Sequence, residues 1–242
     1  MNAFSLGGEF SEDYGIIMTA PPDLVTAERD VERFSVSGRN GDLVVDKGRY
    51  KNVTISYKCA VVPSDGEDYR EMAIHVAELL RPACEYQRLE NTYDPWHFRM
   101  ARVSSQVSIE SIVEQAGKFT VNFDCKPQRF LVSGESKVTY ESAGTIVNPT
   151  SETAIPLITV YGTEAGEVSV AGVTVQIKEI QDQITLDCDI QDAYRQVADS
   201  GPENCNGKIY APEFPVLQPG VNGISFTGGI TKVEIIPRWW TL

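Results

Sequence analysis

The sequence predicts a mainly β protein of two domains: an α+β N-terminal domain over residues 1–133 and a C-terminal β-sandwich over residues 134–242. Three observations predict this class. Apolar and polar residues alternate with period 2 in several segments, as in strands with one buried face. Only one segment has the periodicity of a substantial helix. Beyond Ser133 the apolar runs are short and separated by Gly, Pro and Asn, which is typical of a jelly-roll or lectin-like sandwich.

The first domain begins with a short apolar stretch and the breaker Pro21-Pro22. The charged segment Thr26–Arg33 that follows predicts a short helix or an exposed loop. The stretch Ser35–Val62 then predicts a β-meander around two turns. Asn40-Gly41 is a hairpin dipeptide, because both positions tolerate positive φ, and Lys47-Gly48 marks a second reversal. After these turns, apolar and polar residues alternate strictly up to Cys59.

One helix follows the meander. Ser64 is placed to cap it, with Glu67 at the third helical position, a capping-box spacing. Pro82 ends it. Its apolar face is predicted to cover a sheet and consists of Tyr69, Met72, Ala73, Val76, Leu79 and Leu80.

Further strands are predicted on both sides of the domain boundary near Ser133. In the first domain they are Glu85–Thr92, Trp96–Val103, Gln106–Ile112 and Lys118–Asp124, with Asp94-Pro95 as the turn between the first two. In the second domain they are Pro156–Tyr161, Glu167–Ala171, Val173–Ile177, Ile184–Asp187, Gly223–Phe226 and Ile230–Ile236.

Composition excludes several classes of function. A formal net charge of −13 argues against nucleic-acid binding, which relies on Lys and Arg. No apolar run approaches a membrane span, and the N-terminus lacks the features of a signal peptide, so we expect folding in a cytoplasm. Five cysteines without a CxxC spacing favour buried reduced thiols over a disulfide framework.

No enzyme motif is present, and we expect neither a catalytic residue, a metal nor a cofactor. The two histidines, His75 and His97, lack ligand spacing, and His97 is interpreted as a sheet residue. Asp187 and Asp189 flank Cys188 on a predicted strand and share a face, an arrangement open to Ca²⁺ or an acid pair. The preferred interpretation is a solvated strand face with Cys188 turned into the core.

The chain ends in Trp239-Trp240. Stacked aromatic rings can bind sugars, and a lectin-like sandwich would be consistent with that role. A final strand whose tryptophan seals the core is the preferred alternative.

Three separated segments resemble the siphophage distal tail protein family. The first contains Gly38, Arg39, Gly41, Asp42, Gly48 and Tyr50. The second contains Asp94, Pro95 and Arg99, just after the helix. The third is the C-terminal run that ends in Pro237, Arg238 and Trp239. We expect these family residues to be structural, with Arg39 hydrogen-bonding a turn carbonyl.

The resemblance implies a structural adaptor of the virion tail tip, made in the host cytoplasm. In that family the N-terminal domain forms a homohexameric ring and a galectin-like sandwich hangs outside. The ring joins the tail tube and tape-measure protein to a tail-associated hub or lysin protein, and in some phages it carries receptor-binding proteins. The alternative function is a carbohydrate-binding protein for host-wall saccharide, with Trp239 and Trp240 as contacts. A glycosidase acting through Asp187 and Asp189 is a third, weaker hypothesis.

Overall fold

The computed structural model describes residues 2–62, 69–108, 110–113, 116–197 and 201–242. The chain divides into two compact units, Met1–Arg129 together with Leu242, and Phe130–Thr241. The boundary expected at Ser133 falls in the short 3-10 helix Val132–Glu135 at the start of the second unit. The ring-forming and galectin-like roles of the two domains stay predictions.

Within its described residues, the first unit contains one α-helix, the 3-10 helix Ser11–Tyr14 and the strands of one large sheet and one small sheet. Its elements are β1 (Phe4–Leu6), β2 (Glu9–Phe10), β3 (Ile16–Met18), β4 (Arg29–Phe34), β5 (Leu43–Tyr50), β6 (Val53–Val61), α1 (Tyr69–Leu79), β7 (Gln87–Asn91), β8 (His97–Val103), β9 (Glu110–Val113) and β10 (Ala116–Cys125). The large sheet has the order β2-β1-β7-β8-β10-β6-β3, and β9 pairs with β10. The two ends of this strand order approach each other: Met18 N–H, in β3, donates to the carbonyl oxygen of Asn2, just before β1, at 2.8 Å. The sheet therefore curls around its core.

The predicted alternation along β6 and β10 is confirmed. Val53, Ile55, Tyr57 and Cys59 are buried, whereas the residues between them are exposed. Strand β10 lies antiparallel to β6 and buries Phe119, Val121 and Phe123 against it. The rings of Phe4, Tyr57 and Phe123 meet edge to face, with centroids 5.1 to 5.8 Å apart. These three rings form the centre of the core. Their edge-to-face arrangement is one that aromatic pairs prefer.

Helix α1 covers this core, as predicted. Val76 and Leu80 are almost fully buried, and Met72 and Leu79 pack partly buried against the same cluster. The expected capping box of Ser64 and Glu67 lies outside the described residues. Among the described residues, no helix has the length and apolar character that a membrane span requires.

In the part of the second unit that the structure describes, the elements are strands and two 3-10 helices, and they form a sandwich. Its elements are β11 (Arg129–Leu131, which starts on the last residue of the first unit), β12 (Val138–Tyr140), β13 (Gly144–Asn148), β14 (Leu157–Val170), β15 (Val173–Ile177), β16 (Gln183–Asp187), β17 (Asp192–Val197), β18 (Gly201–Asn204), β19 (Ile209–Tyr210), β20 (Gly220–Ile236) and β21 (Trp240–Thr241), with the 3-10 helices Val132–Glu135 and Asn206–Lys208. One layer has the order β12-β20-β14-β16-β17-β18. In the other layer β13 pairs with β20, β15 with β14, and β19 with β15.

The long strands β14 and β20 belong to both layers. Their pairing shifts register between Tyr161 and Gly166, opposite Gly228 and Ile230. Before the shift β14 also pairs with β16, and after it β14 pairs with β15. Both halves bury their side chains in one apolar core. The two halves therefore face each other across that core, and the bend between them builds the sandwich.

The mainly β fold class with a single helix is confirmed, but several boundaries were wrong. Two pairs of predicted strands are single strands: Pro156–Tyr161 and Glu167–Ala171 both lie in β14, and the last two predicted strands lie in β20. The glycines between them produce a bend rather than a loop. The prediction missed β17 and β18, whose sequences DAYRQV and GPEN lack an apolar alternation.

Candidate functional site

Strands β4 and β5 form a hairpin of their own, separate from the large sheet. The segment Thr26–Arg33, expected as a helix or loop, therefore enters a strand. The hairpin turn contains Asn40-Gly41, as predicted, but it is a longer loop, Ser35 to Asp42, in which Gly38 and Gly41 have φ of 79° and 81°. The three runs of the predicted meander do not lie side by side, because β6 pairs with β3 and β10 instead.

The reversal predicted at Lys47-Gly48 is wrong, because the strand continues through these residues as a bulge. The register shifts between Arg29, which faces Tyr50, and Val31, which faces Asp46. Gly48 has φ of 75°, and its N–H donates to Asp46 Oδ1 at 2.8 Å. A bulge of this kind needs a residue that accepts positive φ. The glycine therefore serves the bulge instead of a turn.

Ion pairs fasten the base of this hairpin. Arg29 donates to Asp46 Oδ2 from two nitrogens, Nε at 2.9 Å and Nη2 at 2.7 Å. The Arg29 guanidinium also lies 4.6 Å from the centre of the Tyr50 ring. The hydrogen bonds from Arg29 and from the Gly48 N–H lower the pKa of Asp46. On the other side of the bulge, Asp30 accepts from Arg49 Nε at 2.8 Å. Bidentate pairs of this type fix geometry more than they add stability at an exposed site.

The outer part of the hairpin is apolar and uncovered. Phe34 faces Leu43 across the strands, and Val45 lies two residues along on the same face. Phe34, Leu43 and Val45 are each 45% exposed, and Val44 on the opposite face is 55% exposed. An isolated two-stranded hairpin is marginal in water, and apolar side chains on both faces favour burial against another surface. The hairpin is the first candidate functional surface.

The second candidate is a cleft of about 210 Å³ in the first unit. The Asn91 side chain shapes the loop at its edge, since Asn91 Oδ1 accepts from the backbone N–H groups of Tyr93 and Asp94. Asp94 is then held by two partners: Oδ1 lies 2.7 Å from His97 Nδ1, and Oδ2 accepts from Arg129 Nη2 at 2.7 Å. Partial burial raises the pKa of the Asp94 carboxyl, but the hydrogen bonds from His97 and Arg129 outweigh it, and the net pKa is lowered.

We expect Asp94→Asn to lower the free energy of unfolding by about 1–2 kcal/mol at neutral pH, since Arg129 loses its carboxylate. Because the folded-state pKa of Asp94 lies below its unfolded value, its contribution is complete above the unfolded value of about 4. It is lost as the pH falls through the folded pKa. Urea unfolding at pH 7 and pH 2.5 measures the effect.

The control is Asp23→Asn, an exposed carboxylate at the same cleft, which we expect to change stability by less than about 0.5 kcal/mol. A gap between Asp94→Asn and wild type that stays as large in acid would contradict this account of Asp94.

The family-motif residues fall in these two places and at the chain end. The hairpin and its loop hold Gly38, Arg39, Gly41, Asp42, Gly48 and Tyr50; the cleft loop and strand β8 hold Asp94, Pro95 and Arg99. The Arg39 side chain is exposed, and its backbone N–H donates to Val36 O at 3.1 Å. Sequence reasoning missed the grouping of Asp94 with His97 and Arg129. No local sequence pattern predicts this grouping, because Arg129 lies 35 residues beyond Asp94.

A backbone hydrogen bond and an ion pair hold Arg238, near the chain end, in the second unit. Arg238 has φ of 56°, its N–H donates to Gly134 O at 2.8 Å, and its guanidinium binds Asp187 at 2.7 and 3.2 Å. Asp187 is therefore paired rather than solvated, which corrects the expectation for that residue, whereas Asp189 is exposed. Strand β16 ends at Asp187, so the two carboxylates do not share a strand face.

The two terminal tryptophans have different surroundings. Trp239 is 5% exposed and lies in the core of the second unit. A Cβ at Gly134 would collide with the backbone nitrogen of Trp239, so glycine is needed there. Trp240 is half-buried, and its Nε1–H donates to Thr153 O at 2.9 Å. An indole ring as buried as that of Trp239 has no face free to stack on a saccharide.

The cysteines and histidines form no reactive cluster. All five cysteines are free thiols, and Cys59, Cys125, Cys188 and Cys205 are buried, whereas Cys84 is exposed, so the expectation of a buried thiol is wrong for Cys84. Burial raises the pKa of the Cys59, Cys125 and Cys188 thiols to about 12, so they stay protonated at neutral pH. Within the described ranges, no group of three or more His, Cys, Asp or Glu side chains is placed to hold a metal ion.

Comparisons with known proteins find similarity to phage tail proteins. Residues 12–125 match the model of a family described as phage tail protein RIFT-related domain. The crystal structure of the Dit protein of phage SPP1, described as a paradigm of the hub adsorption apparatus in phages infecting Gram-positive bacteria, is similar in fold. The match has a TM-score of 0.75 and 12% identity, and it covers 100% of both chains. No curated protein sequence matches the chain.

The matched domain contains the hairpin and most of the cleft, and the similar fold extends over both units. Residues 12–125 are therefore similar to a phage tail protein domain, and the whole chain has a fold similar to that of SPP1 Dit, so the predicted resemblance to the siphophage distal tail proteins is confirmed.

Proposed function

We propose that this phage tail protein is a structural adaptor of the tail tip, in which six copies close into a ring. The ring joins the tail tube and tape-measure protein on one side to the tail-associated hub or lysin protein on the other. It also offers an attachment point for receptor-binding proteins. No catalytic role is part of this proposal.

The uncovered apolar hairpin supports this proposal most directly. Ring subunits need a heterologous contact, in which one surface of a copy meets a different surface of the next and the rotation closes. Strands β4 and β5 pair only with each other among the described residues, so their outer edges retain free backbone groups. Strand edges and apolar side chains together favour docking on a neighbouring sheet. We infer that the hairpin of one copy packs on the next.

The test is light scattering coupled to size exclusion, followed by negative-stain images of the main peak. Six chains of 26.7 kDa give a ring of about 160 kDa. The double substitution Leu43→Glu/Val45→Glu places two carboxylates on the apolar face. We expect it to weaken assembly at least about 100-fold and to leave a folded monomer, because each buried unpaired charge costs several kcal/mol.

The matched control is Val147→Glu/Val221→Glu. These two valines lie in the second unit, face each other across β13 and β20, and are 58% and 72% exposed. The control should assemble like wild type. If the hairpin variant forms rings as well as the control does, the role of the hairpin is wrong. A wild-type chain that stays monomeric even with the hub protein added would contradict the ring.

The carbohydrate-binding alternative receives no comparable support. Trp239 is buried, and Trp240 is tied through its Nε1–H to a backbone carbonyl. The glycosidase hypothesis loses its acid pair, since Asp187 is held by Arg238. We therefore propose the adaptor alone.

A further inference from the structure

The cleft in the first unit has apolar walls and a charged floor. Its walls include the side chains of Leu24, Val25, Ile55 and Leu89. Ile55 and Leu89 are buried, at 6% and 3% exposed, whereas Leu24 at the mouth is 78% exposed. With a volume of about 210 Å³, the cleft is smaller than drug-sized pockets. It suits a short branched side chain with one polar head.

Arg99 supplies a positive charge at this cleft, and its hydrogen-bond acceptors among the described residues are backbone carbonyl groups. The residue is 8% exposed, and its Nη1 donates to Pro127 O at 3.0 Å and Lys126 O at 3.5 Å. Among the residues that the structure describes, Nε and Nη2 of Arg99 have no hydrogen-bond acceptor. Every fully buried side-chain nitrogen in that part of the chain has a hydrogen-bond partner, so Nε and Nη2 are not fully buried. These two nitrogens are therefore reached by solvent, and Arg99 lines the cleft.

The charged groups around Arg99 leave it without a carboxylate of its own. Asp94 is committed to His97 and Arg129, and Asp23 at the mouth is exposed. Burial lowers the pKa of Arg99 from its ordinary value, but a guanidinium stays protonated in proteins. A cation that is largely removed from water and keeps two donors without a protein acceptor gains from a charged hydrogen-bond partner, which argues for an anionic ligand.

The geometry points to a carboxylate-binding site. We propose that Nε and Nη2 of Arg99 hold the carboxylate of a protein segment, an acidic side chain or a chain terminus, whose apolar neighbour fills the cleft. Nε and Nη2 form one edge of the guanidinium, which matches the two oxygens of a carboxylate. The nearby Asp94 repels a doubly charged phosphate about twice as strongly as a singly charged carboxylate at the same distance, because the repulsion scales with the charge. Exposed apolar groups at the mouth, Leu24 and Tyr93, extend the contact.

The experiment uses the full-length chain, labelled at its Ile, Leu and Val methyl groups. It is titrated with 4-methylpentanoate and, in parallel, with the neutral 4-methylpentanamide. We expect the acid to shift the Ile55 and Leu89 methyl signals with a dissociation constant on the order of millimolar, and the amide to bind at least tenfold more weakly. Equal shifts from the two probes, or none from either, would overturn the proposal without requiring any variant.

Two arginine variants on the same strand refine the test. Arg99→Gln should remove the preference for the acid over the amide. The matched control is Arg102→Gln, because Arg102 also lies on β8 but binds Asp124 at 2.9 Å and stacks near Tyr86. It should keep the preference. A folded Arg99→Gln protein that still prefers the acid tenfold would contradict the role of Arg99.

Dilution distinguishes two sources of the carboxylate, a second copy of this chain and another protein of the tail. If it belongs to a second copy, the Ile55 and Leu89 signals of wild type alone will move with protein concentration, and 4-methylpentanoate will compete. If these signals are independent of concentration while the acid binds, the carboxylate belongs to another protein of the tail. Ring formation is measured separately, so failure of the adaptor proposal and failure of this site are distinguishable.

Discussion

Replacing Trp239 with alanine is expected to lower the free energy of unfolding of the second unit by about 4 kcal/mol, the usual cost of removing a buried aromatic side chain. Trp239 is 5% exposed and packs in the core formed by both layers of the sandwich. Its backbone N–H also lies against Gly134, so the chain end cannot move far to fill the cavity. Calorimetry should show the melting temperature of the second unit lowered by about 15 °C.

Trp96→Ala is the matched control. It removes the same side chain, but Trp96 is 76% exposed, so the expected change is within about 0.5 kcal/mol. The pair also separates two functions. A saccharide contact at Trp239 would predict a stable Trp239→Ala protein that has lost sugar binding. A variant as stable as Trp96→Ala would show that Trp239 does not hold the core.

Gly166→Ala is expected to cost about 3 kcal/mol, although it adds a single methyl group. A Cβ at Gly166 would collide with the carbonyl oxygen of Thr227 and lie 2.9 Å from Ile230 Cγ1. The carbonyl is part of the backbone of β20 and cannot rotate away. The strands must therefore separate at the bend on which both layers of the sandwich depend.

Gly223→Ala provides the control, in the strand β20 against which Gly166 packs. Gly223 lies in β20, opposite Thr145, and a Cβ there would meet nothing within 4 Å. Its replacement should be neutral or slightly stabilising, since alanine restricts the unfolded chain more than glycine does. Urea unfolding followed by far-UV circular dichroism compares the two variants. A loss of similar size in both would mean that glycine flexibility, and not close contact at the bend, decides the result.

The site was less predictable than the fold. Alternation along β6 and β10 and the apolar stripe of α1 are local patterns, so the sequence could reveal them directly. The family motifs likewise marked the hairpin glycines, Asp94 and Arg99. Their physical roles were not visible. Gly48 lies in a bulge rather than a turn. Its N–H donates to Asp46, which also pairs with Arg29 of the other strand.

The sequence by itself therefore determined the mainly β class, the single helix, the burial of Cys59, Cys125 and Cys188, and the resemblance to distal tail proteins. Each follows from residue type and short-range spacing. Only the tertiary structure decided that β4 and β5 stand apart as an uncovered hairpin, that β14 and β20 bend without breaking, and that Asp94, Arg99 and Arg129 share one cleft. The reason is that these features depend on which distant strands pair, and pairing is set by contacts between residues far apart in the chain.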